Sequence, residues 1–223
     1  MTSRERAVTP SAWVDHSGAK SGLSLIGDFV DKTVAVTVTE LRKMRHDVAA
    51  LFMRMLQPVL WLAIYGEVMS RTRAITTGDI PFIDFITPGI MAQSALFIAI
   101  FSGMSVIWER DLGIAHKFVA SPAPRDALAL GKALSGGVRA LTGAAVVYVL
   151  GLALGVKINL SPLAVLGVLA MVVLAATTFS AFSLVIAFIV KTKERMMGIG
   201  QVLTMPFFFA SNAIYPTSEM PGS

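Results

Sequence analysis

Long runs without Asp, Glu, Lys or Arg divide this chain. Four are uninterrupted: residues 85–108, 140–156, 158–190 and 196–218. A fifth, 49–69, contains Arg54 and Glu67 near its ends, where long side chains reach the headgroups. It also contains Pro58, which predicts a kink. A helix crossing a bilayer needs about 20 mostly apolar residues, because the hydrocarbon core is ~30 Å thick and the rise is ~1.5 Å per residue. The pattern therefore predicts five transmembrane helices, at about 49–69, 85–108, 135–156, 163–190 and 197–215. These segments are apolar all round, whereas helices of a water-soluble globule carry an apolar stripe. The run 163–173 is continuously apolar and lacks the alternation of a membrane β-barrel strand. The fold class is all-α and polytopic.

The polar remainder has its own organisation. Residues 1–27 are rich in Ser, Thr and Gly and lack the apolar core of a signal peptide, so they read as a flexible cytoplasmic arm. Over 28–47, Val30, Val34, Val38, Leu41 and Met44 recur at spacings of three and four, continued by Val48. That predicts an amphipathic helix on the membrane surface, with Lys32, Arg42, Lys43 and Arg45 toward headgroups. A short strand is the alternative, because residues 33–39 are β-branched and alternating. The rest, 49–223, reads as one transmembrane domain. Between spans two and three, Leu112, Ala115, Phe118 and Val119 share a helical face, with Glu109 and Asp111 at the start and Lys117 near the end. Pro122 and Pro124 stop this crosswise helix, and a second helix leads into span three. An ordinary solvated loop is the plain alternative. Gly151 and Gly155 form a small-x-x-x-small pair suited to close helix packing.

Composition and charge sharpen the picture. Of 223 residues, 55% are hydrophobic and only 15% charged, against about 25% charged in soluble domains. The net charge of +5 would suggest nucleic acid in a soluble protein. Here all the basic residues except Arg71, Arg73 and Lys157 fall on one side of the predicted spans. That side is cytoplasmic by the positive-inside rule, so the excess is a topology signal and no nucleic-acid partner is expected. The N-terminus is then cytoplasmic and the chain multi-pass. Chemistry is sparse. His16, His46 and His116 are far apart and there is no cysteine, so no metal site is expected. Gly131-Lys132 is followed by Ala133, and no phosphate-binding P-loop exists. No acid, base or serine elbow lies at membrane depth, as an intramembrane transferase would need. Ion-coupled carriers keep charges midway across, and this chain has almost none, so its energy comes from elsewhere. A non-transporting membrane scaffold remains a different class of reading.

Glu109-Arg110-Asp111 with Gly113, His116-Lys117, Ser121-Pro122-Ala123-Pro124-Arg125 and Leu130-Gly131-Lys132 resembles the cytoplasmic loop of ABC type-2 transporter permeases. Glu40-Leu41-Arg42 through Gln57-Pro58, Pro88-Gly89-Ile90-Met91, and the stretch from Lys191 through Pro206 to Ser211-Asn212 and Pro221-Gly222 support it in the right order. The closest subgroup is the daunorubicin–doxorubicin type of drug-resistance exporter. The resemblance implies that the crosswise helix is a coupling helix, with Glu109, Arg110, Asp111, Leu112, Gly113, His116 and Lys117 facing a separate cytoplasmic ATP-binding subunit. Residues 28–47 would be the connecting helix. ATP and Mg would sit on the partner, and this chain would hold no cofactor and have no ATPase motif of its own. It implies six spans, of which this sequence shows five. It further implies a second permease unit, as a homodimer, in the plasma (inner) membrane. Gln93, Ser94, Thr204 and Asn212 are the polar positions in spans two and five available to line a translocation path. Alternatively they make only interhelical hydrogen bonds. The expected cargo is a drug-like or lipid-like amphiphile, with a polysaccharide or lipo-oligosaccharide as the alternative.

Overall fold

The computed structural model describes residues 22–44, 55–72, 80–113, 124–190, 192–209, 211 and 213. Among these residues every regular element is helical, and there is no strand.

The first helix, α1, is Gly22–Met44. It settles the choice between helix and strand for residues 33–39. Its β-branched threonines are accommodated because their hydroxyls bond back one turn: Thr33 to the Phe29 carbonyl at 2.8 Å, Thr37 to Thr33 at 2.8 Å, and Thr39 to Ala35 at 2.7 Å. One face carries exposed Ile26, Val30, Val34 and Val38; another buries Thr33 and Glu40. Next comes α2, residues 55–72. Pro58 lies in its regular first part, residues 55–60, and a π-helical stretch, Trp61–Gly66, follows before ordinary helix at Glu67–Thr72.

The helices α3 (Phe82–Ser102) and α4 (Met104–Asp111) meet at Gly103 and form one 30-residue rod, Phe82–Asp111. Pro88 lies inside α3 but faces outward. A second rod, α5 (Arg125–Ala153), starts ten residues before the predicted span and absorbs the helix expected to lead into it. It ends in Leu154 and Gly155, the latter at φ +80°. The Gly155 N–H bonds to the Leu152 carbonyl at 3.1 Å and the Val156 N–H to that of Gly151 at 3.0 Å, a Schellman ending that satisfies the last carbonyls. Gly155 therefore makes the turn rather than a packing face, while Gly151 is buried beside Thr87. The third rod, α6 (Pro162–Ile189), opens with Ser161 accepting from the Ala164 N–H, and with Pro162 in the first turn. The last helix among the described residues is α7, Lys193–Phe209.

Three helices are long and apolar enough to cross a membrane among the described residues: Phe82–Asp111, Arg125–Ala153 and Pro162–Ile189. They match predicted spans two, three and four. Spans one and five, as predicted over 49–69 and 197–215, each run beyond the described residues.

Small residues set the packing. Side chains at Gly136 and Gly137 would collide with Ser180 and Thr177 of α6. One at Gly143 would fall on Ile98 and Ser94 of α3. One at Gly131 would fall on Val36 of α1. The seam of α5 thus admits three neighbours to near-backbone distance. The main core joins Leu62, Ile86, Ile90, Ile98, Ala140 and Val147, and a smaller one gathers Ile107, Ala187, Val190 and Met196. Edge-to-face ring pairs Trp61–Tyr65, Trp61–Phe208 and Tyr65–Phe82, with centroids 5.0 to 6.2 Å apart, tie α2 to α7 and α3.

Candidate functional site

The charged residues expected to open a crosswise helix instead occupy the last turn of α4. The helix runs on through Gly103, and residues 104–111 hold no breaker, so it stops only at Leu112 and Gly113. Gly113 adopts φ +70°, and its N–H bonds to the Arg110 carbonyl at 3.0 Å. Acidic side chains at a helix C-terminus oppose its dipole. Here neighbouring helices supply the compensating cations.

The Glu109 carboxylate accepts from Lys43 of α1 at 2.8 Å and from Lys132 of α5 at 2.5 Å. Glu40 of α1, whose side chain is 4% exposed, meets Lys43 at 2.9 Å, Lys132 at 3.2 Å and Arg139 at 3.7 Å. Arg139 also donates to the Glu40 carbonyl at 3.4 Å. Two carboxylates and three cations thus join α1, α4 and α5. Burial alone would raise the Glu40 carboxyl, but Lys132 and Lys43 together outweigh it and hold it below the usual carboxylate range. Burial would lower the Lys43 ammonium, but its bonds to Glu109 and Glu40 prevail and raise it.

The other two charges of the triplet point elsewhere. Arg110 donates to the Val190 carbonyl at 3.4 Å, at the end of α6. Asp111 meets Lys193 of α7 at 3.3 Å, and that ammonium also lies 4.7 Å from the centre of the Trp108 ring. The tip of α4 is therefore tied to four other helices. Glu109 is buried and spent on internal partners rather than free to meet another protein. What faces outward is Trp108, Asp111, Leu112 (69% exposed) and Gly113. His116 and Lys117 lie outside the described residues.

Of the path positions, Gln93, Ser94 and Thr204 are all buried. Ser94 donates to the Met91 carbonyl at 2.8 Å and Thr204 to that of Gly200 at 2.7 Å, so both hydroxyls are used within their own helices. The Gln93 side-chain oxygen has no hydrogen-bond partner. Asn212 lies outside the described residues. Among the described residues no group of three or more His, Asp or Glu side chains is placed to hold a metal.

Sequence reasoning did not assemble Glu40, Lys43, Lys132 and Arg139 into one network. A signal existed: Glu40 and Lys43 are one turn apart, off the Val30–Val34–Val38 stripe, and Arg139 stands alone at a span end.

Residues 31–223 match the family model described as ABC-2 type transporter. The chain is 23% identical to the daunorubicin resistance ABC transporter permease protein DrrB1 of Streptomyces coeruleorubidus, over 85% of this chain and 68% of that one. It is 26% identical to a chain named transport permease ycf38 of Cyanophora paradoxa, over 74% of this chain and 58% of that one. A ycf38 chain of Porphyra purpurea is 23% identical, over 78% of this chain and 60% of the other. This chain thus spans about three fifths to two thirds of the length of these relatives. No solved structure matches it. With nearly the whole described fold inside the matched region, the chain belongs to the ABC-2 type transporter permease family, a family of multi-pass membrane transport subunits.

Proposed function

We propose that this chain is the permease of an exporter that moves a drug-like or lipid-like amphiphile outward, driven by ATP hydrolysed on a separate cytoplasmic subunit. The observation that carries this reading is the tip of α4. Its last turn is bound by ion pairs to α1, α5 and α7, and it presents Leu112 and Gly113 at the end. A tip wired in this way transmits a push on the 112–117 segment to several helices at once. Glu109, Arg110 and Asp111 then hold the tip, while Leu112, Gly113, His116 and Lys117 meet the partner. The drug class is supported by the similarity to DrrB1. The scarcity of charge within the spans favours an external energy source. In this reading the charged end is cytoplasmic, ATP and Mg belong to the partner, and two copies of the permease form the working unit in the plasma membrane.

The test co-expresses the chain with a cytoplasmic ATP-binding subunit that co-purifies with it and reconstitutes both in vesicles, with daunorubicin as the probe. Leu112→Asp is expected to lower drug-stimulated ATP hydrolysis about tenfold, the equivalent of ~1.4 kcal/mol of lost docking. Unchanged stimulation and transport in that variant would refute the coupling assignment.

A further inference from the structure

The rod Phe82–Asp111 is interrupted at one residue. Gly103 keeps helical dihedrals, φ −62° and ψ −23°, yet regular helix ends at Ser102 and resumes at Met104. The Gly103 carbonyl accepts from the Val106 N–H at 3.1 Å, and side chains make further bonds to the backbone around the interruption. The Ser102 hydroxyl donates to the Ala99 carbonyl at 2.6 Å. The Gly103 N–H donates to the Ser183 hydroxyl of α6 at 3.1 Å, and that hydroxyl donates in turn to the Ile100 carbonyl. Ser183 is therefore inserted into the hydrogen-bond ladder of a neighbouring helix, an established cause of helix bending. Ser102 and Ser180 also share a hydrogen bond at 2.6 Å. All these groups are buried.

The two sides of Gly103 are held differently. Upstream, α3 is packed against the glycine seam of α5, through Ser94 and Ile98 at Gly143 and Thr87 at Gly151. Downstream, α4 sets Ile107 into the smaller core with Ala187, Val190 and Met196, and ion pairs tie its last turn to α1, α5 and α7. Apolar close packing is stiff, whereas ion pairs between long side chains tolerate displacement. A Cβ at Gly103 would collide with Ser183, so the pivot lies against the α6 backbone. In a bilayer an open backbone N–H is costly, because no water is there to bond it. The Ser183 hydroxyl, both acceptor and donor, keeps those groups satisfied while the ladder is interrupted.

We propose that Gly103 is a hinge and Ser183 the positioning residue that holds it, so that α4 moves as a tip while α3 stays fixed in the bundle. That this motion serves coupling rests on the function proposed above; the hinge itself does not.

The chain has no cysteine, so single introduced cysteines can be spin-labelled without background. One label pair, Trp108→Cys with Leu130→Cys, spans the tip and α5. A reference pair, Ala92→Cys with Met171→Cys, reports on the bundle. In lipid nanodiscs, Ser183→Ala and Gly103→Ala are each expected to widen the tip-pair distance distribution and shift its mean, with the reference pair unchanged. The second variant acts by displacing the Ser183 hydroxyl, and it decides the matter if the first does not fold. A tip pair unmoved by both variants, or a reference pair that shifts as much, overturns the hinge. With the ATP-binding subunit bound, a non-hydrolysable ATP analogue is expected to move the tip pair alone. A tip freed by Ser183→Ala but motionless under nucleotide overturns the coupling function and leaves the hinge standing. A tip moved by nucleotide but indifferent to both variants does the reverse.

Discussion

Beside the tip of α4, Glu40 and Lys43 lie one turn apart but in different surroundings. The Glu40 side chain is 4% exposed and faces three cations; that of Lys43 is 49% exposed. Removing one partner of a buried ionic group leaves the others uncompensated, which typically costs 3–5 kcal/mol. Glu40→Gln is expected near the lower end, about 3 kcal/mol, because Lys132 keeps Glu109. Thermal unfolding of the detergent-solubilised chain reads this loss. Lys43→Met should cost about 1 kcal/mol or less, since water already screens that ammonium. The pH window follows from the same pair. The Glu40 carboxyl is lowered, so its contribution is complete above the ordinary carboxylate value and is lost as pH falls through the lowered one. The Lys43 ammonium is raised, so its contribution is complete below the ordinary lysine value and is lost as pH rises through the raised one. Stability from this pair should be flat across neutral pH and fall only at the two extremes, as a melting series across pH would show. The Glu40–Lys43 spacing was legible in the sequence, but the pairing with Lys132 was not, because Glu40 and Lys132 are 92 residues apart and the crossing of α1 over Gly131 joins them.

At the scale of elements, the sequence spoke clearly where one physical demand dominated. A bilayer forbids unpaired backbone and charge, so the charge-free runs found α3, α5 and α6. The ends of those helices obey another rule. A helix continues until something stops it, which is why α5 reaches back to Arg125 and α4 carries Glu109 within it. The stop after α4 is Gly113 and the stop after α5 is Gly155, each a glycine at positive φ. Either glycine changed to Ala should cost about 1 kcal/mol, from the left-handed conformation alone. The close packing of α5 on α6 supplies a stronger test. Leu at Gly137 would meet Thr177 and the Val173 carbonyl. An overpacked seam typically costs 1–3 kcal/mol, so Gly137→Leu should cost about 2 kcal/mol of stability, read as a lowered melting point. Ala at Gly167, where nothing lies within 4 Å, is the matching control and should be neutral or slightly stabilising.

Across the whole molecule, outward-facing apolar surface is the dominant feature of α6: Leu163, Leu166, Met171, Leu174, Phe188 and Ile189 are all exposed, while its inward face is Ala176, Ser180, Ser183 and Ala187. Large residues outside and small ones inside is the membrane arrangement, in which lipid replaces the core as the apolar solvent. The five ionic groups of the network occupy three helices that the ribosome delivers in order. Glu40 and Lys43 arrive on α1, Glu109 follows on α4, and Lys132 and Arg139 come last on α5. Until α5 is made, two carboxylates share one ammonium. Nascent chains that stop before residue 132 should therefore leave α1 open to protease, and chains extended past residue 139 should protect it. Translation itself thus sets the moment at which the tip of α4 gains its partner on α5.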